Sequence, residues 1–319
     1  MKILIVTNEL DISADLVLAW LTSNGHEVFR FNTEKLGSIF NITIRPTSAG
    51  PEGEIHAESR HIKIQEIDSV YYRRPVPPVF DDGCAQKATE REYFAAIRGL
   101  WIALKGKRWV NYPQSLRAAE SKLDQLTVAS SLGLTIPKTL VTNDSDCVHS
   151  FLNDCGGRLI HKPFSANTML VDGQVMGVFT RRVEPHELDY SANAIKVIPC
   201  LFQEEVRKLL EIRVTVVGRS VYSAAIHSQE NPLTECDWRR DALGLRHEKY
   251  NLPSKVEQAC IDVVCNYNLS FGTIDLILRP DGEYVFLELN PNGEWSWIEN
   301  LVGLPITESI GKTLLGECI

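Results

Sequence analysis

No apolar run in this chain approaches the ~18 consecutive residues that cross a bilayer. The N-terminal MKILIVTNEL meets Glu9 and Asp11 before it reaches the length of a signal peptide's apolar core, and no small-residue cleavage site follows. The expectation is a cytoplasmic protein with no membrane partner. Zinc chemistry lacks its usual marks as well. The eight cysteines, at 84, 147, 155, 200, 236, 260, 265 and 318, form no CxxC pair and no ligand spacing. They read as reduced, mostly buried thiols. There is no internal repeat and no low-complexity tract, and 44% hydrophobic with 23% charged residues excludes a disordered chain. No Ser/His/Asp or Cys/His arrangement stands out. Gly311-Lys312-Thr313 mimics the end of a phosphate-binding loop, but Ile306 stands where that motif needs glycine. A basic excess is missing too. With 33 basic and 41 acidic side chains the formal net charge is −8, which argues against a nucleic-acid partner. Residues 1–120 carry 15 of each sign, so the whole deficit falls in residues 121–319. That half is where a carboxylate-bound metal is worth seeking.

What is present is the alternation of an α/β chain. Ile3–Thr7 reads as a strand, Ser13–Ser23 as a helix ended by Asn24-Gly25, and Glu27–Phe31 as the next strand. Residues 40–67 are β-like, and Ser69–Arg74 is a strand stopped by Pro75. The spacing of Phe94, Ile97, Leu100, Trp101 and Leu104 predicts an amphipathic helix over Thr89–Lys107. Residues 109–116 read as a linker, and Leu116–Leu132 as a helix stopped by Gly133. Asp144–Cys155 follows as a shorter helix. From Arg158 onward strands dominate, interrupted by a helix over Ser254–Tyr267 and closed by one over Ile306–Leu315.

The sharpest local pattern is a hairpin. Asp281-Gly282 is a strong turn signal between two alternating runs. With that pair at the centre, Asp275 faces Glu288 across the hairpin, and Asn290 shares the face of Glu288. Two opposed carboxylates repel unless a cation lies between them, and Mg²⁺ takes such oxygens. The alternative is a solvated hairpin face. Glu204, Glu205 and Val206 end an apolar strand. Glu211 and Arg213 then share a face of the next one, either as a phosphate-binding fork with its neighbour or as a surface ion pair. Lys122 and Lys162 are single lysines of the kind phosphate-rich ligands need.

In this order the residues resemble the ATP-grasp ligases: Lys122, Lys162, QEEV at 203–206, EIRV at 211–214, Asp275 and ELN at 288–290. YYRRP at 71–75, the SQ…DWR pattern at 228–239 and ELNPNGEWSWIE at 288–299 extend the resemblance to the microviridin-type peptide ligases that make graspetides. The resemblance implies an α/β (α+β) fold in three subdomains, over 1–115, 116–200 and 201–319, with ATP between the last two. It implies ATP and Mg²⁺ as cofactors. Lys122 and Lys162 would sit on the phosphates, and Glu204, Glu205 and Val206 at the adenine. Glu211 would take the ribose, Asp275, Glu288 and Asn290 the metal, and Arg213 the transferred phosphoryl group and acyl phosphate. Arg213 and Lys162 are the expected catalytic residues. The implied reaction joins Asp or Glu side chains of a ribosomal precursor peptide to Thr/Ser hydroxyls or Lys amines, in a homodimer. Arg73, Arg74 and Arg239, with Asp237 orienting Arg239, would bind the acidic peptide or else pair within the fold. Two other readings stand beside this one: a ligase adding amino acids to a protein, and a nucleotide-binding protein without ligase activity. The segment after Lys162 holds only Gly173 and Gly177, fewer than a glycine-rich phosphate lid has.

Overall fold

Every side chain from Ile3 to Val6 is fully buried, the pattern of a strand covered on both faces. This strand, β1 (Lys2–Thr7), sits inside a four-stranded parallel sheet in the computed structural model, which describes residues 1–58, 60–80, 86–164, 168–171 and 174–317. Helix α1 (Ile12–Ser23) leads to β2 (Glu27–Asn32), and the Asp11 side chain caps it by accepting from the Ala14 N–H. A three-stranded antiparallel meander follows: β3 (Phe40–Thr47), β4 (Gly50–Ala57) and β5 (Arg60–Lys63). Then come β6 (Ser69–Tyr72), α2 (Gln86–Ala103) and β7 (Arg108–Val110), giving the parallel order β2-β1-β6-β7. The meander and α2 cover one face of this sheet, where Phe29, Phe31, Ile97 and Trp101 meet.

Two expectations change here. Phe94 does not share the buried face of α2; it is 41% exposed, while Ile97, Leu100 and Trp101 are buried. Residues 109–116 are not a linker. Trp109 and Val110 are buried in β7, because a parallel sheet takes apolar residues on both faces. Asn111 is pinned as well. Its Nδ2 donates to the carbonyls of Phe271 (2.8 Å) and Pro291 (3.1 Å), and its Oδ1 accepts from the Ser270 and Phe271 N–H groups.

The middle of the chain holds α3 (Pro113–Ala118), α4 (Lys122–Ser131), β8 (Thr139–Thr142), α5 (Ser145–Asp154), β9 (Leu159–Lys162), the hairpin β10 (Thr168–Val171) and β11 (Gln174–Gly177), β12 (Arg181–Arg182), α6 (Pro185–Ile195) and β13 (Cys200–Glu204). The expected helix over Leu116–Leu132 is broken because Ser121 caps α4. Helix α6 was not expected. Its signal was the Glu184–Glu187 capping box with Pro185 at the first helical position. Strands in the order β12-β9-β13-β8 form a sheet whose outer face packs α5 and α6 through Val148, Leu152, Leu188 and Phe202. Cys84 and Cys318, and Gly173 within the expected lid, lie outside the described residues.

The last part is a five-stranded antiparallel sheet, β16-β15-β14-β17-β18. Its members are β14 (Leu210–Val217), β15 (Ser220–Ile226), β16 (His247–Tyr250), β17 (Phe271–Leu278) and β18 (Tyr284–Asn290). Helix α7 (Ser254–Asn266) and α4 cover one face, over Ile212, Val214, Ile274, Leu276 and Phe286. Alternation therefore turns Glu211, Arg213, Asp275 and Ile277 to the other face, toward the β9–β13 sheet. Helices α8 (Ser296–Val302) and α9 (Ile306–Leu315) return to the N-terminal sheet, where Ile306, Ile310 and Leu314 join Ile3, Ile5 and Val17 in one core. Gly311 of the GKT triplet is a packing glycine, since a Cβ there would lie 2.2 Å from the Trp20 ring. No helix among the described residues is long and apolar enough to cross a membrane.

The expected subdivisions meet the elements in two ways. A division between residues 200 and 201 cuts β13, which pairs with both β8 and β9. The first 115 residues do not close their own core, because α9 supplies part of it.

Candidate active site

Asp275 pairs with Glu288 across β17 and β18, and Thr273 with Asn290. The route to this register differs from the expected two-residue turn. The loop has three residues, Pro280–Gly282, closed by the Arg279 N–H donating to the Glu283 carbonyl (2.9 Å), with Gly282 at φ +87°. Near the loop Leu276 therefore opposes Phe286 and Ile277 opposes Val285, one residue out of step with Asp275–Glu288. A bulge absorbs the step and leaves Leu287 unpaired. Leu287 and Glu288 consequently both face the cleft.

The acids are engaged. Arg213 Nη1 donates to both oxygens of Asp275 (2.9 and 3.0 Å), and its Nη2 donates to the Glu294 carbonyl (2.9 Å). The buried Nε of Arg213 has no acceptor. Lys122 opens α4 and places Nζ 2.9 Å from Glu288 Oε2 and 3.2 Å from the Pro163 carbonyl. Burial alone would raise the Glu288 pKa, but Lys162, Lys122 and Arg239 together hold it well below the usual carboxylate range. Burial pushes the Lys162 ammonium down, helped by repulsion from Lys122 and Arg239 and opposed by Glu288. Asn290 turns its amide nitrogen to Asp275 (3.2 Å) and Glu288 (3.4 Å).

Among the described residues no cluster of three or more acids, histidines or cysteines is placed to hold a metal by itself. Two opposed carboxylates and one amide oxygen fit a cation that completes its shell with phosphate and water, as Mg²⁺ does. A half-turn of the Asn290 amide exchanges its nitrogen for an oxygen acceptor.

Glu211 is buried beside Lys208, whose Nζ donates to Glu211 Oε1 (2.9 Å) and to the Cys236 carbonyl (2.9 Å). It is not part of a surface ion pair, and burial raises its pKa against the pull of Lys208. At the end of β13, Glu204 Oε1 accepts from the Lys138 N–H (2.9 Å). The Glu205 side chain is clasped by Arg158 (3.2 Å) and Arg182 (2.6 Å), and its N–H donates to the Arg158 carbonyl. Among the described residues no protein hydrogen bond uses the Glu205 carbonyl or the Val206 N–H.

Of the arginines expected at a substrate, Arg73 is corrected. It is 1% exposed and donates from Nη1 to the carbonyls of Asn292 (2.6 Å) and Gly293 (3.0 Å), while Nη2 meets Glu294 (2.8 Å). It holds the loop after β18 from within the fold, and its buried Nε has no acceptor. Arg74 is half-exposed, has φ +47° and pairs with Glu294 at the cavity mouth. Asp237 is buried and grips Arg239 through Nε (2.8 Å) and Nη2 (2.5 Å), while accepting from the Thr180 N–H.

Two connected spaces result. A narrow one of about 70 Å³ lies between the sheets, among Ile160, Gln203, Val206, Ile277 and Leu287. A larger one of about 580 Å³ continues past Glu288 and Asn290 to Arg74, Arg213, Arg239, Phe164, Trp238 and Trp297.

A RimK-like ATP-grasp domain matches residues 119–314, and an MvdD pre-ATP-grasp domain matches residues 2–117. The chain belongs to the ATP-grasp ligases. Among solved structures it is similar to the macrocyclase MdnB of Microcystis aeruginosa, at 30% identity over 98% of this chain and 99% of that one, with a TM-score of 0.82. MdnC of the same organism, bound with its precursor peptide MdnA, is 29% identical over 99% and 100%, with a TM-score of 0.89. A RiPP-associated ATP-grasp ligase of Chryseobacterium gregarium, in complex with ADP and a leader and core peptide, is 28% identical over 99% and 96%, with a TM-score of 0.92. A comparison with the curated proteins finds no match.

Sequence reasoning missed several parts of this ligase's cleft. Ile160, Ile277 and Leu287 wall the narrow space, and single apolar residues in strands carry no signal before the sheets are assembled. The stacked pair Trp238–Trp297, with ring centroids 5.2 Å apart, joins residues far apart in the chain. Gln125 is buried and pairs with both backbone groups of Leu289, closing the edge of β18 between Glu288 and Asn290.

Proposed function

We propose that this ligase activates Asp or Glu side chains of a ribosomal precursor peptide as acyl phosphates and joins them to Thr/Ser hydroxyls or Lys amines, closing ω-ester or ω-amide rings. The observation that carries this reading is the larger cavity. It runs on from the two-carboxylate centre and is lined by three arginines and three aromatic rings, which suits an acidic peptide better than a free amino acid. The peptide-bound relatives support it.

In this reading the Glu205 carbonyl and the Val206 N–H meet the adenine edge, and Ile160, Ile277 and Leu287 enclose the ring. Glu211 takes the ribose hydroxyls, and Lys122 and Lys162 the phosphates. Asp275, Glu288 and Asn290 would hold Mg²⁺, which offsets the charge of the triphosphate when bound. ATP supplies the phosphoryl group that turns a carboxylate oxygen into a leaving group. Arg213, which lines the larger cavity, turns its guanidinium to that group and to the tetrahedral oxyanion that follows. Arg239, aimed by Asp237, and Arg74 draw the peptide carboxylate in. The two reacting side chains sit on one tethered chain, so binding supplies most of their orientation. The aromatic wall keeps out the water that would hydrolyse the acyl phosphate. The setting proposed is the cytoplasm.

The test incubates the enzyme with ATP, Mg²⁺ and the peptide encoded by a small reading frame beside its gene. Mass spectrometry should show loss of one water per ring, with ADP and phosphate formed only when peptide is present. Strong turnover with free amino acids and none with the peptide would instead identify a ligase that adds amino acids.

A further inference from the structure

A second cavity of about 350 Å³ lies outside the chemistry described above, between α2, α3 and the loop after β6. Its floor is aromatic. Tyr72 meets Trp101 edge-on at 5.4 Å, and Tyr112 closes the side next to Leu116. Its rim carries Phe94 and Ile102, which are 41% and 61% exposed although apolar. Water-facing apolar groups around an apolar hollow are the usual composition of a binding site.

The hollow is continuous with the reaction cavity. Arg74, Glu120 and Pro291 line both, and Asn292 lines the hollow just two residues beyond Asn290. Since a chain advances ~3.3 Å per residue when extended, the two spaces are within about 7 Å of one another at this point. The charges at the hollow are Arg74, Arg98 and Arg117 against Glu120. Arg98 and Arg117 have no ion-pair partner among the described residues. The surface is therefore apolar at its centre and positive at its edge.

We propose that this hollow is a specificity subsite for the peptide substrate, taking one aromatic side chain while its basic rim meets flanking acids. The inference rests on the peptide-ligase reading above and names a feature of that substrate: a Phe, Tyr or Trp roughly two to five residues from the reacting acid, at ~3.3 Å per residue. Filling the hollow anchors the chain, so that the acid enters between Arg74 and Arg239 in a set register.

The test uses the full-length enzyme with ADP and Mg²⁺ and a series of acidic peptides. Each carries one Glu, one Lys and one Phe, with the Phe moved from one to eight residues away from the Glu, and a matched set replaces Phe by Ala. Calorimetry should show Phe improving affinity about tenfold or more over a narrow range of spacings, the worth of burying one such side chain. Phe94→Asp with Ile102→Asp should remove that gain while leaving ADP affinity and melting temperature unchanged, because both residues are on the rim. Arg98→Glu should weaken every acidic peptide. Peptides that bind equally with Phe or Ala, or a Phe gain that survives the double variant, would overturn the subsite and leave the ligase reading standing. Failure of every peptide, in binding and in ATP turnover, would count against both. Sedimentation decides the other occupant. If the wild-type chain is a dimer and the double variant a monomer, a second copy covers this face and the subsite is overturned.

Discussion

Glu288 faces Asp275 because Leu287 is bulged out of the ladder between them. Without the bulge the three-residue loop would set Leu287 opposite Asp275, and Glu288 would point to the helix-covered face. The centre thus depends on one extra residue in an edge strand, held there by Gln125 on the backbone of Leu289. Asp275 and Glu288 oppose one another across the sheet with Arg213, Lys122 and Lys162 supplying the positive charge.

Replacing Glu288 by Gln keeps the shape of the side chain and removes its charge. Peptide-dependent ADP formation should fall by about a thousandfold or more, as several kcal/mol of charge stabilisation are lost. Far-ultraviolet circular dichroism should be unchanged. A variant that turns over at the wild-type rate would rule out the metal assignment.

Leu287→Ala should leave Glu288 in register but open the narrow space between the sheets. Losing about 1–2 kcal/mol of apolar contact should raise KM for ATP by roughly 5- to 30-fold, with KM for peptide little affected. Initial rates with each substrate varied in turn measure the split.

Arg213→Lys retains charge but loses the planar fork that reaches both Asp275 and the Glu294 carbonyl. We expect kcat to fall about a hundredfold or more, the order seen when one transition-state donor is removed. Single-turnover measurements should place the loss in ligation rather than in nucleotide binding.

At Gly293 a Cβ would lie 1.8 Å from Thr273 Oγ1 and 3.0 Å from Arg213 Nη2. Gly293→Ala should therefore cost about 1–3 kcal/mol by overpacking and displace Arg213. Thermal unfolding and kcat should fall together. A stable variant with full activity would show that the loop can move away from Arg213.

Asp237 gives a pH prediction. Burial opposes its ionisation, but the hydrogen bonds and charge of Arg239 outweigh burial and hold the carboxyl below its ordinary 3.8. A depressed pKa stabilises the folded chain fully above pH 3.8, and the stabilisation is lost as pH falls through the folded value. Asp237→Asn should cost about 2 kcal/mol at neutral pH. It should also flatten the acid limb of the melting-temperature profile below pH 3.8 relative to wild type. An unchanged acid limb would remove this pair from the account of acid stability.

The candidate site was legible in outline because its residues sit on strands whose alternation can be read directly. Glu211 and Arg213 share a face by period two, and Asp275, Glu288 and Asn290 meet across one hairpin. Even there the expected register was reached through a two-residue turn and no bulge, two one-residue errors that cancel. Arg73 and Arg74 are adjacent and chemically alike, yet one is sealed in a loop and the other opens on the cavity. Nothing in the pair YYRRP distinguishes them, because burial depends on residues 292–294 arriving from the far end of the chain. Residues 109–116 look like a linker for the same reason: the sheet that buries Trp109 and Val110 is not local.

What the amino-acid order determined by itself was the kind of chain and the composition of its centre. Periodicity set the strands and most helices, and residue chemistry supplied the acids, amide, lysines and arginine that a phosphoryl-transferring ligase needs. Only the tertiary structure decided which of these meet. It carried β13 across the expected division, borrowed α9 to close the N-terminal core, bulged Leu287 and joined an aromatic hollow to the cavity beside Glu288. Local backbone preferences act over a few residues, whereas burial and pairing are settled between segments that the sequence holds far apart.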